Sequence, residues 1–171
     1  MPNEPHSFMF ADDGAVPNNP ALPALVYKGA IEKARVSAET IEALFRKNGW
    51  GHGQWRNGIY PFVHYHSMIH EALGIAAGSA RVQLGGRNGE TFALGPGDIA
   101  VLPAGTGHQR LSGSDDLLVI GAYPPQGTYN LCRGDNPADR DQALATIPTV
   151  PLPASDPVLG RDGPLTRLWR R

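Results

Sequence analysis

Hydrophobic positions along this chain follow two patterns. Between residues 37 and 48 they recur at helical spacing, with Ile41, Leu44 and Phe45 on one side and charged residues on the other. Ser37 or Thr40 suits the N-cap, Arg46 and Lys47 stand where cations favour a helix C-terminus, and Gly49 ends the run. The spacing predicts one helix whose apolar stripe packs into a core. From residue 59 to 123 the apolar runs are short and broken by turn residues. They predict strands over 59–66, 71–77, 80–84, 91–94, 99–102, 108–111 and 117–123. Asn88-Gly89 signals a hairpin, and 95–98 and 103–107 signal turns. Short strands with no helices between them indicate an all-β sandwich or barrel rather than a parallel α/β sheet.

The two ends lack this regularity. Residues 1–36 begin with a stretch rich in Pro and Asn, expected to be an extended or partly disordered arm carrying a solvated His6, with a short strand at 24–27. Residues 50–58 (WGHGQWRNG) are expected to form a Gly-broken loop, either a pocket rim or a lid. The tail, 124–171, is Pro- and Asp-rich, yet Val150, Leu152, Val158, Leu165, Leu168 and Trp169 are too many apolar residues for a free linker. It is expected to wrap along the barrel or a partner subunit. The organisation read from this is one domain: an arm (1–36), a helix plus barrel (37–123) and a wrapping tail (124–171).

Composition narrows the function. The net charge of −1, with no basic cluster, argues against a nucleic-acid partner. The 21 Gly and 16 Pro suit a turn-rich β protein. Cys132 is the lone cysteine, which rules out an intrachain disulfide and is read as a buried structural thiol. The N-terminus lacks a signal-peptide pattern and no apolar run suits a membrane helix, so a cytoplasmic location without membrane contact is expected.

The chemistry concentrates between Gly58 and His108. In a strand, side chains two apart share a face, so His64 and His66 aim at one point. Glu71 follows on the next strand and His108 on a later one. Three imidazoles and a carboxylate suit one divalent transition metal: Fe, Mn, Ni, Co or Zn. His70 is the competitor of Glu71. Neighbours on a strand face opposite ways, so only one of the two can point inward, and Glu71 is the favoured one. By the same alternation Tyr60 and Phe62 share the face of His64, Leu73 and Ile75 that of Glu71, and Arg110 that of His108. These five are the expected substrate pocket. Arg110 there would select a carboxylate or phosphate, though a surface or salt-bridged Arg110 is the competing reading.

The spacing carries more than the residue types. Gly58, five residues, His64-Tyr65-His66, four residues, Glu71, six residues, Gly78 is one motif; Gly97, five residues, Pro103-Ala104-Gly105, two residues, His108 is the second. The pair resembles the two motifs of the cupin superfamily over residues 58–112, with 18 residues between them. One position departs: Ser112 stands where that family often has Asn. The wider string HYHS…HEALG…PAGTGH is similar to small bacterial single-domain cupins, a likeness that names a family rather than an activity. The resemblance implies a double-stranded β-helical, jelly-roll-like barrel with one N-terminal helix and extended arms. It also implies a metal on His64, His66, Glu71 and His108, a small-molecule ligand and a homodimer. It further implies an enzyme, with dioxygenase-like oxidoreductase chemistry first, in which Glu71 shuttles protons and Tyr60 is a second acid. Sugar or keto-acid isomerisation, or ligand or metal binding without turnover, are the alternatives.

Overall fold

The computed structural model describes residues 4–171. Its strands are β1 (His6–Phe8), β2 (Ala24–Tyr27), β3 (His52–Asn57), β4 (His64–Tyr65), β5 (Glu71–Ala77), β6 (Ala80–Leu84), β7 (Glu90–Leu94), β8 (Ile99–Leu102), β9 (His108–Gly113), β10 (Leu118–Tyr123) and β11 (Cys132–Arg133). They form two antiparallel sheets, ordered β1-β2-β8-β5-β10-β3 and β11-β4-β9-β6-β7. This is the all-β, two-sheet architecture that the strand pattern predicts. Among the described residues, no helix is long and apolar enough to cross a membrane.

The four inner strands of the six-stranded sheet, β2, β8, β5 and β10, are buried on both faces, which is why they read as continuous apolar runs. One face carries Leu25, Tyr27, Ala72, Ile99, Val101 and Ile120, packed under helix α1 (Ala38–Lys47) through Ile41 and Phe45. The other carries Val26, Leu73, Ile75, Ala100, Leu102 and Val119, which meet Val82 and Leu84 of the second sheet between the layers. Helix α1 forms where the stripe predicts it, and Ser37 Oγ caps it by accepting the Thr40 N–H at 3.0 Å.

Three segments differ from expectation. Residues 52–57 form strand β3, not a loop. Cross-strand pairing with β10 overrides the break expected at Gly53, with Gly121 opposite Trp55. The N-terminal segment is not a loose arm. β1 pairs with β2, with His6 exposed, and Val16, Asn18 and Asn19 are buried. Asn18 donates to Gly85 O at 3.0 Å and accepts from Gly107 N at 3.0 Å, so its amide replaces backbone pairing the loops lack. Residues 1–3 of the expected arm lie outside the described residues. The tail contains a helix that apolar periodicity does not reveal, α2 (Pro137–Thr146). It starts from an Asn136 cap and Pro137 and buries Ala143.

The tail also adds a strand to the five-stranded sheet and, beyond α2, closes the outer face of the six-stranded one. Strand β11 pairs with β4, and a short helix α3 (Leu165–Leu168) brings Trp169 against Trp50 and His70, with its indole N–H donating to Pro23 O at 2.8 Å. Asp156, fully buried, holds this arrangement. It accepts from Val158 N at 2.7 Å, Leu159 N at 3.1 Å, Leu165 N at 3.0 Å and the Tyr27 hydroxyl. Asp156→Ala would strand these donors at about 1–3 kcal/mol each for those that water cannot reach. The expected result is a loss of roughly 3 kcal/mol or more, read as a lower urea midpoint with unchanged denaturant dependence. A midpoint within error of the parent would contradict this role.

Candidate metal centre

The four expected ligands come from both sheets. His64 and His108 are register partners across β4 and β9; His66 follows β4; Glu71 opens β5 of the opposite sheet. All four are buried. One ring nitrogen each from His64, His66 and His108 lies within 4.8 Å of the others. An ion with ligand bonds of about 2.1 Å spans such a set after a small contraction.

The imidazoles are oriented by their outer nitrogens. His64 Nδ1 meets Phe62 O at 2.9 Å, His66 Nδ1 meets Asn130 O at 2.6 Å, and His108 Nδ1 meets Thr106 O at 3.0 Å. A carbonyl only accepts, so each Nδ1 carries the proton and each Nε2 keeps its lone pair for the interior. Backbone partners of this kind fix tautomer and ring angle at metal sites. Glu71 Oε1 lies 3.4 Å from His66 Nε2 and 3.3 Å from His108 Nε2, and it is buried with no hydrogen-bond partner. The three histidines form the close cluster, and an orphaned carboxylate oxygen beside two of their Nε2 atoms extends it to a set that a divalent cation would complete. The residues fit the ion expected from the sequence.

His70 is placed elsewhere. It faces the outer side of the sheet, against Trp169, and both nitrogens are engaged: Nδ1 accepts from Ala104 N at 2.9 Å and Nε2 donates to Pro151 O at 3.0 Å. The strand alternation at 70 and 71 thus leaves Glu71 as the inward side chain.

Burial first, and then the neighbouring His108 and His66, push His64 down to about 3. Burial, with Arg171 adding to it, pushes His70 down to about 4. Burial opposes charge on both His66 and Glu71, but their mutual attraction outweighs it, so His66 is raised and Glu71 lowered.

A cavity of about 860 Å³ opens over the centre. Tyr60, Leu73 and Arg110 line it; Phe62 and Ile75 do not. Residues 59–63 leave the ladder around Pro61, and Phe62 lies under the Arg133 guanidinium, 3.9 Å from its ring centre. Ile75 faces inward but is sealed in the core between the sheets. Tyr60 stands at the rim, 45% exposed, its ring edge-on to His64 at 5.2 Å. Arg110 donates from Nε to Ile59 O at 3.1 Å and forms no ion pair among the described residues, so the salt-bridged reading of this side chain is not realised. Of the segment expected as a pocket rim or lid, His52, Gly53 and Trp55 line the cavity, whereas sequence reasoning missed Asn130, Tyr123 and Tyr129. Asn130 is 64 residues from His66, and no local spacing connects them. Cys132 is buried, with Asn130 Nδ2 at 3.4 Å and Ser67 Oγ at 3.6 Å from its sulfur.

No family model matches the chain. It is 37% identical over 169 residues, 99% of each chain, to a Bacillus subtilis (strain 168) protein described as "Uncharacterized protein YjlB". Among solved structures, a cupin 2 domain-containing protein from Halorhodospira halophila aligns with 85% of this chain and 80% of its own at 14% identity and a TM-score of 0.38. Acireductone dioxygenase from Bacillus anthracis, with cadmium in its active centre, aligns over 53% of this chain and 61% of its own at 17% identity and a TM-score of 0.38.

The histidines also set the acid stability of the metal-free protein. His64 and His70 stay neutral when folded but take up protons near 6.5 when unfolded. Their contribution is complete above pH 6.5 and is lost as pH falls toward 4 and then 3. His66 has the opposite sign, and its contribution is lost as pH rises through its raised folded value. Urea midpoints should therefore drop from pH 6.5 toward 4, and His70→Gln, destabilised overall, should show a shallower slope there. An equal slope in that variant would contradict the assignment.

Proposed function

We propose that this chain, which belongs to the family of Bacillus subtilis YjlB, is a metal-dependent enzyme acting on a small oxygenated molecule, with dioxygenase-like oxidoreductase chemistry as the leading reaction. One observation carries the reading. Three imidazole lone pairs and an unpartnered carboxylate oxygen converge at the base of a cavity large enough for a small organic substrate. His64, His66, His108 and Glu71 would hold one divalent ion. That ion would supply Lewis-acid or redox chemistry to a substrate oxygen.

The protein's own groups have separable tasks. The backbone carbonyls of Phe62, Thr106 and Asn130 keep the three rings in register. Leu73, Trp55 and Ile59 provide apolar wall that limits water at the centre. Arg110, half-buried, offers its terminal N–H groups to an anionic end of the ligand, which is the reason to expect a carboxylate. Glu71, and Tyr60 at the rim, are the groups placed to move a proton. The reading also retains a cytoplasmic location and a homodimer, the latter tested by sedimentation of the purified protein.

Protein purified without a tag should carry about one equivalent of Fe, Mn, Ni or Co by elemental mass spectrometry and should take up O2 with at least one member of a panel of small hydroxy- and oxo-acids. The double variant His64→Ala/His108→Ala should lose the metal. Metal without O2 uptake across the panel would contradict the oxidoreductase assignment and favour isomerisation or binding. Equal metal content in the double variant would sink the site. Arg110→Met should weaken carboxylate ligands about tenfold, the cost of losing one charge-assisted contact, and leave neutral ligands unchanged. Equal losses for both would overturn the role of Arg110.

A further inference from the structure

A carboxylate beside an ion can bind through one oxygen or through both, and here the two oxygens of Glu71 are already distinguished. Oε2 accepts the Tyr123 hydroxyl at 3.0 Å. The Tyr123 oxygen accepts the indole N–H of Trp55 at 2.8 Å. An indole nitrogen only donates, so the phenol serves Trp55 as acceptor and keeps its single proton for Glu71. Oε1 takes no hydrogen bond and faces the Nε2 atoms of His66 and His108.

The two strands are shaped around this relay. Gly121 lies opposite Trp55 in the β3–β10 register, and a Cβ there would come within 1.9 Å of the indole. A Cβ on Gly53 would lie 3.1 Å from the Tyr123 ring, and Gly53 has φ +57°. Glycine at both places lets each ring rest against backbone.

We propose that Tyr123, its hydroxyl fixed by Trp55, is a positioning residue that holds Glu71 as a one-oxygen ligand and so reserves two coordination positions for a substrate with two adjacent oxygens. The inference rests on the metal reading above. Three nitrogens and one oxygen occupy four places; an ion that takes about six ligands keeps two, whereas a two-oxygen Glu71 would leave one. The substrate class is then a chelator, such as a 2-hydroxy acid, a 2-oxo acid or an enediol, rather than a molecule with one isolated donor.

The test uses the full chain stripped of metal and loaded with Co(II), whose visible spectrum reports coordination. The parent, Tyr123→Phe and Trp55→Phe are compared and titrated with acetohydroxamate, a two-oxygen chelator. The parent should form a one-to-one acetohydroxamate complex. Tyr123→Phe should still bind cobalt, with a shifted spectrum and about tenfold weaker acetohydroxamate binding, the scale of one charge-assisted hydrogen bond. Trp55→Phe should move both readouts the same way by less. If Tyr123→Phe fails to fold, Trp55→Phe decides the matter, and no shift in it overturns the proposal. Spectra and affinities equal to the parent overturn the relay while leaving the metal reading intact. A parent that binds no cobalt overturns both.

Discussion

Three buried imidazoles can offer their lone pairs to one point only if each carries its proton on the outer nitrogen. That constraint organises this molecule. Each Nδ1 must find a carbonyl outside the ring cluster, and the carbonyls come from three separate places: Phe62 before β4, Thr106 in the turn before β9, and Asn130 in the segment after β10. Each place is tied down in turn. Asn18 from the N-terminal segment accepts from Gly107 N beside His108. The Asn130 side chain accepts from Ser67 N and Met68 N and donates to Ser67 Oγ, so one residue holds both His66 and the turn after it. The ends of the chain therefore serve the centre as well as the core.

The two faces of the six-stranded sheet divide the labour. The inner face carries Glu71 and the apolar layer behind it; the outer face carries His70, which is locked neutral by two backbone bonds beneath Trp169. Adjacent residues thus become an inward carboxylate beside the histidine cluster and a packing histidine. The tail matters because it builds the second environment, with Asp156 securing it.

The quartet and the barrel were legible because both depend on local spacing. A His-x-His pair shares a face, a turn returns the chain to the next strand, and Gly and Pro mark each turn. What the pattern hid follows physical reasons. β3 is an edge strand of mostly polar residues with a glycine at its second position, and only its pairing with β10 reveals it. The expected strand over 59–66 contracts to His64–Tyr65, because Pro61 has no N–H for a ladder and Tyr60 O is taken by Arg110 N. This turns Phe62 away from the cavity that Tyr60 still reaches. Helix α2 buries little of its surface, so it has almost no apolar stripe to detect. Tyr123 and Asn130 meet the centre only through long-range pairing, and a single sequence records nothing of that.

The most direct test of the central claim is anomalous diffraction from crystals of the purified protein, recorded on both sides of the absorption edge of its metal. One strong peak is expected about 2.0–2.3 Å from the Nε2 atoms of His64, His66 and His108 and from one oxygen of Glu71. A peak bound through Nδ1 atoms, a peak at another site, or no peak in crystals soaked with Mn, Co or Zn would contradict it.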